Sequence, residues 1–156
     1  MIKENTQAPD FALLNQEGKS VSLKDFSGKA LILYFYPKDD TPGCTTEACS
    51  FRDDYSVYQG MNVDIVGISP DDVDSHGKFA EKYDLPFELL SDDGHQVCEA
   101  YGVWGKKKNF GKEYFGVNRT TFLIDADGMV RKVFKGVKPA SHSQEVIEAV
   151  RALSDM

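Results

Sequence analysis

The residues with the most chemistry in them are Cys44 and Cys49, in the run Thr41-Pro42-Gly43-Cys44-Thr45-Thr46-Glu47-Ala48-Cys49. A thiolate is the nucleophile of sulfur chemistry, so the question is what would hold a thiol ionised. Thr41 suits a helix cap and Pro42 the first helical position, which puts Cys44 in the first turn. Backbone N–H groups there lack intrahelical partners and carry partial positive charge, which favours the thiolate. Asp39 and Asp40 oppose it if they lie close, because like charges disfavour ionisation. A nearby cation decides the contest. Arg52, Arg119, Arg131 and Arg151 are the candidates, and spacing alone does not choose among them. The competing reading is a buried, inert thiol.

The spacing of five is neither the Cys-x-x-Cys of redox motifs nor that of zinc ligand pairs. On a regular helix it gives a rise of about 7.5 Å and a rotation of about 140°. The Cα atoms then lie about 8.6 Å apart, beyond the ~7 Å that a disulfide spans. If the two thiols are a catalytic pair, the start of the helix must unwind for them to bond. The plainer alternative is that Ala48 and Cys49 pack inward.

The surrounding elements place this run. Ala30 to Tyr36 is a near-continuous apolar run without alternation, as expected of a central strand covered on both faces. It ends just before Cys44, where ligand crevices of α/β sheets open. Ala8–Leu14 and Val21–Leu23 are expected to form an N-terminal β-hairpin. A helix is expected from Thr41 to Gly60, a strand from Val63 to Ser69 and a helix from Pro70 to Tyr83. A short strand from Leu85 to Leu90 and a short helix carrying Cys98 and Tyr101 follow. Gly105–Val117, with Lys106, Lys107 and Lys108, reads as an exposed loop. Two strands around Asp125-Ala126-Asp127-Gly128 form a second hairpin, and Ser141–Leu153 a closing amphipathic helix. Alternating strands and helices with an antiparallel hairpin predict an α/β domain with a central mixed sheet flanked by helices. The 156 residues are expected to make one domain.

Composition narrows the classes. A net charge of −7 argues against a nucleic-acid partner. No apolar run approaches the ~20 residues of a membrane span, and the N-terminus shows no apolar signal region, so a cytoplasmic protein with no membrane partner is expected. Three cysteines without an export signal argue against a disulfide framework and for catalytic use. Cys98 is expected to be a packed core thiol, with an alternative resolving role second. His76, His95 and His142 are expected at the surface. Asp125-Ala126-Asp127-Gly128 lacks the remaining ligands of a calcium loop. The sequon at Asn118 has no meaning without export. The lysine run is read as a solvated loop, with docking of an acidic reductant as the weaker idea.

These stretches together resemble the peroxiredoxins, specifically the peroxiredoxin Q or bacterioferritin comigratory protein type. The resemblance runs from Ala8-Pro9-Asp10-Phe11 through Tyr34-Phe35-Tyr36-Pro37-Lys38 and Thr41-Pro42-Gly43-Cys44. It closes with Tyr101-Gly102-Val103-Trp104-Gly105 and Arg119-Thr120-Thr121-Phe122. It implies a thioredoxin-like fold and reduction of hydrogen peroxide and alkyl hydroperoxides. It makes Cys44 the peroxidatic cysteine and Cys49 the resolving one. Thr41 would contact peroxide and sulfur, Pro37 would shield the site, and Arg119 would stabilise thiolate and substrate. It also implies thioredoxin or a similar dithiol as reductant and no metal, haem or flavin cofactor; an intramolecular pair makes a monomer workable. The alternatives are a general disulfide oxidoreductase and a non-enzymatic thiol or metal-binding module.

Overall fold

A computed structural model of the protein describes residues 2–154. The strands are β1 (Thr6–Gln7), β2 (Ala12–Leu14), β3 (Ser20–Ser22), β4 (Ala30–Phe35), β5 (Val63–Ser69), β6 (Glu88–Ser91), β7 (Trp104–Asn109), β8 (Lys112–Val117), β9 (Thr120–Ile124) and β10 (Met129–Lys135). The helices are α1 (Pro42–Asp53), α2 (Tyr55–Gly60), α3 (Val73–Tyr83), α4 (Gln96–Ala100) and α5 (His142–Ser154). Eight strands form one mixed sheet in the order β1-β10-β9-β4-β5-β6-β2-β3. β4, β5 and β6 run parallel, and β9 lies antiparallel to β4.

The alternation of side chains along β4 divides the core in two. Leu31, Leu33 and Phe35 pack with Phe122, Ile124, Cys98 and Tyr101 on one face. Ile32, Tyr34 and Tyr36 pack with Cys44, Ala48, Phe51, Tyr58, Phe79, Val146 and Val150 on the other. Both faces are covered, which is why the strand reads as an unbroken apolar run. Tyr34 lies between Tyr36 and Phe51, with ring centroids at 5.4 and 4.9 Å. It fits only because Gly67 of β5 lacks a side chain: a Cβ there would meet the tyrosine ring at 2.8 Å.

The central elements fall where expected, and several boundaries move. The helix expected over Thr41–Gly60 is two helices, broken at Asp54. The Asp54 carboxylate accepts bonds from Ser143 Oγ (2.7 Å) and Gln144 Nε2 (3.1 Å), which tie the break to the start of α5. The strand expected over Ala8–Leu14 shrinks to Ala12–Leu14, because the Pro9 carbonyl is taken by the Tyr101 hydroxyl at 2.6 Å. The helix expected from Pro70 begins at Val73, capped by Asp72 accepting from Ser75 N–H at 2.8 Å.

The largest correction is Gly105–Val117, which is not a loop. It is the antiparallel β7–β8 hairpin, paired from Trp104↔Val117 to Asn109↔Lys112. Its turn has positive φ at Phe110 (52°) and Gly111 (78°), the geometry of a tight hairpin turn. A phenylalanine in that left-handed position is not a turn signal, so the hairpin was hidden.

Replacing Gly67 by alanine forces a buried, fully packed tyrosine to move. We expect Gly67→Ala to lose about 1–3 kcal/mol, read as a lower urea midpoint at unchanged slope. An unchanged midpoint would mean that Tyr34 has room the packing does not show.

Candidate active site

The C-terminal end of β4 delivers Tyr36 and Pro37, and α1 begins five residues later. Thr41 holds the cap position with extended backbone (φ −96°, ψ 156°), and its carbonyl accepts the first helical bond, from Thr45 N–H at 2.8 Å. Its hydroxyl does not cap the helix; it donates to Lys38 O at 2.9 Å. The N–H groups of Gly43 and Cys44 therefore precede the first helical bond. Cys44 Sγ is buried, with 1 % of the residue exposed.

The pairing of β4 with β9 chooses among the four arginines. Phe35 pairs with Thr120, so the residue before β9 lands beside the start of α1. That residue is Arg119. Its Nη2 donates to Cys44 Sγ at 3.3 Å, and its Nη1 donates to Glu47 Oε1 at 2.6 Å. Gly43 permits the approach, since a Cβ there would lie 3.2 Å from Arg119 Nη2. Arg52 instead donates to Tyr83 O, and Arg131 pairs with Asp125.

The two aspartates expected to oppose a thiolate are engaged elsewhere. Asp40 pairs with Lys82 Nζ at 2.8 Å and accepts from the Tyr83 hydroxyl at 3.0 Å. Asp39 is buried and accepts from Tyr36 Oη (2.6 Å) and Ser75 Oγ (2.8 Å), with His76 Nδ1 at 2.6 Å. Asp39, Asp71 and His76 form the one cluster with metal-ligand spacing among the described residues. It is internally satisfied: Asp71 accepts from Ser69 Oγ and from Asp39 N–H, and His76 Nε2 donates to Leu90 O.

Sequence reasoning missed three neighbours. Glu47 is 1 % exposed, and its Oε2 has no hydrogen-bond partner. Burial pushes its carboxyl up to about 7, against the pull of Arg119. Tyr34 Oη is also buried without a partner; burial, then Glu47 and Cys44, raise it well above the usual phenol range. Lys107 on β7 donates to Val117 O at 2.8 Å. Its ammonium is pushed down by burial and by Arg119, with Cys44 opposing, so it belongs to the electrostatic surroundings of the site. A charged residue one turn after Cys44 was the available signal for Glu47. None marked Lys107 within a lysine run.

Pro37 is half-buried at the exit of β4. Cys49 is half-buried on the same unbroken helix as Cys44, and both are free thiols. Burial pushes the Cys49 thiol up, Arg52 pulls it down and Asp53 raises it. Cys98 packs on the opposite face of the sheet from Cys44, as a core thiol, and burial followed by Asp92 pushes its thiol up. His76 and His142 are corrections: both are core residues, at 0 % and 1 % exposed, because each meets polar partners inside. His142 Nε2 lies 2.8 Å from Thr121 Oγ1, and its ring stands edge-on to Phe51.

At a helix start beside the end of a central strand, a buried thiol is touched by a half-buried guanidinium. Residues 5–133 match the AhpC/TSA family, and the chain belongs to it. It is a peroxiredoxin, a thiol-dependent peroxidase with a thioredoxin-like fold. Within that class it is similar to the Bcp and peroxiredoxin Q proteins. It is 51% identical to peroxiredoxin Bcp of Bacillus subtilis over 99% of this chain and 97% of that protein. It is 35% identical to the bacterioferritin comigratory protein of Xanthomonas campestris, a protein with alkyl peroxide reduction activity, at a TM-score of 0.88 and covering 92% of each chain. BcpB of Mycobacterium tuberculosis is 36% identical at a TM-score of 0.87, covering 97% of this chain and 98% of that one.

Glu47 carries a testable stability signature. An unfolded glutamate releases its proton near 4.5, whereas here the carboxyl keeps it to about 7. Between those values the folded state binds more protons, so Glu47's contribution to stability falls as pH rises through that window. The melting-temperature difference between wild type and Glu47→Gln should therefore fall from pH 4.5 to 7 and then level. A difference flat across that range would show Glu47 ionised throughout.

Proposed function

We propose that Cys44 is the peroxidatic sulfur and Cys49 the resolving one of a thioredoxin-dependent peroxidase acting on hydrogen peroxide and alkyl hydroperoxides. The observation that carries this reading is the 3.3 Å contact of half-buried Arg119, through Nη2, with the buried Cys44 Sγ. A fixed cation there stabilises the thiolate and is aimed where oxygen–oxygen cleavage develops charge. Thr41 Oγ1, its hydrogen on Lys38 O, keeps lone pairs with which to accept the O–H of a peroxide. Pro37, with no N–H to solvate, shields the strand end.

In the first step the thiolate attacks the terminal peroxide oxygen. The S–O bond forms, the O–O bond breaks, and the alkoxide or hydroxide leaves with a proton as alcohol or water. Cys44 is left as a sulfenic acid. The Cys49 thiol then attacks the Cys44 sulfur, forming the disulfide, and the sulfenic oxygen leaves as water. A dithiol, thioredoxin or one like it, returns both cysteines to thiols by exchange through a mixed disulfide. No metal, haem or flavin enters. We further infer a cytoplasmic monomer in which the chain acts as one catalytic domain, since both thiols lie on one helix.

Two measurements test the assignment. Cys44→Ser should abolish thioredoxin-coupled peroxide consumption, and normal turnover in that variant removes the central claim. Mass spectrometry of peroxide-treated protein should find Cys44 linked to Cys49. A Cys44–Cys98 or intermolecular link would reassign the resolving thiol.

A further inference from the structure

The β7–β8 hairpin is paired to no other strand, and it carries a composition unlike the rest of the chain. Trp104–Val117 holds four lysines against one glutamate, a local charge of +3. The remaining residues have 14 basic and 24 acidic side chains, or −10. The same hairpin holds three of the five exposed large apolar residues among those described: Phe110 at the tip is 98% exposed, Phe115 63% and Tyr114 46%. Lysines on strand edges guard against edge-to-edge pairing, but that does not account for bare phenylalanines beside them.

The arrangement of these groups is informative. Opposed residues of an antiparallel pair point to the same face. Lys106, Lys108 and Phe115 share one face with Glu113, which pairs with Lys106 Nζ at 2.8 Å; Tyr114 and Lys112 share the other with Lys107, whose Nζ donates to Val117 O, and Phe110 occupies the tip. Aromatic rings and lysines therefore radiate on both faces. A flat protein partner would contact one face and leave the other bare. Immersion in an interface uses all sides: rings settle at headgroup depth and lysines snorkel to phosphates. The rungs from Lys106–Phe115 to Asn109–Lys112 span about 10 Å.

We propose that the β7–β8 hairpin is a docking element for an anionic phospholipid surface, with Phe110 leading. The association is peripheral, since no helix here is long and apolar enough to cross a membrane. It departs from the expectation of no membrane partner, which considered spanning segments and a loop, not a basic, aromatic-tipped hairpin.

The test is flotation of the full chain with vesicles of pure phosphatidylcholine and of 3:1 phosphatidylcholine to phosphatidylglycerol, at low and at physiological salt. Wild type should float with the anionic vesicles, less so as salt rises, and not with pure phosphatidylcholine. Lys108→Gln and Lys112→Gln should each lower partitioning about fivefold, and Phe110→Ser with Phe115→Ser should abolish it. Peroxide turnover without vesicles should be unchanged in all of them, which confirms folding. No flotation with anionic vesicles, or flotation indifferent to these changes, overturns the proposal. So does finding that the variants alter only the sedimentation coefficient, which makes the hairpin a self-association surface. A higher KM for the thiol reductant with flotation unaltered makes it a protein-docking surface instead. Binding is read without turnover, so failure here is separable from failure of the peroxidase reading.

Discussion

The guanidinium of Arg119 sits between a sulfur and a carboxylate, and the rest of the site depends on its position. It donates to Cys44 Sγ and to Glu47 Oε1 from opposite arms. A planar fork can do this with one side chain where an ammonium could not hold both geometries. Its placement is a property of the sheet: β9 must run antiparallel to β4 in the register that sets Phe35 against Thr120. A slip of one residue would turn every side chain of β9 to the other face. Arg119 would leave the site, and Thr121 would leave His142. Gly43 completes the constraint from the helix side, because any side chain there crowds the guanidinium.

One cation facing two anionic groups in a buried place sets up a competition. At an effective dielectric of about 20, a contact between unit charges at 4 Å is worth about 4 kcal/mol. At Glu47 burial outweighs the arginine: the carboxyl holds its proton to about 7 despite a 2.6 Å bond to Arg119. With Glu47 neutral, the charge of Arg119 acts undivided on the sulfur. With Glu47 ionised, the trio bears an extra negative charge whose Oε2 finds no donor. The buried carboxyl and the Cys44 sulfur thus share one arginine, on its two arms.

Much of this was legible in the sequence, because it rests on local signals. The covered strand Ala30–Phe35, the proline-started helix and the Asp125–Gly128 hairpin are each marked by composition or turn chemistry within a few residues. What escaped depends on contacts distant in the chain. His76 and His142 lie in polar stretches, yet Asp39, Leu90 and Thr121 meet them in the interior. Choosing Arg119 over Arg52 needed either the sheet register or a family resemblance. The helix break at Asp54 is made by Ser143 and Gln144, nearly ninety residues later. The β7–β8 hairpin escaped for the opposite reason: its turn is local, but Phe110 adopts a backbone shape usual for asparagine or glycine.

If Cys44 and Cys49 pair as proposed, helix α1 cannot serve both steps in one shape. Attack on peroxide needs the first turn wound, since that holds Cys44 against Arg119. Disulfide formation needs the two Cα atoms brought about 2 Å closer than a regular helix allows. The burial pattern says which end gives way. Ala48 and Phe51 are fixed in the core, with Phe51 against Tyr34, Tyr58 and His142. Pro42 and Thr46 are exposed and Gly43 and Thr45 half-buried, so Cys44 is the one side chain of that turn held in the core. Cys44 is therefore the thiol that travels, and in leaving it loses Arg119 and the helix start together. The groups that favour its thiolate are removed by the motion that makes it a partner for Cys49. On that reading the helix start holds the sulfur reactive toward peroxide only while it is out of reach of the second thiol.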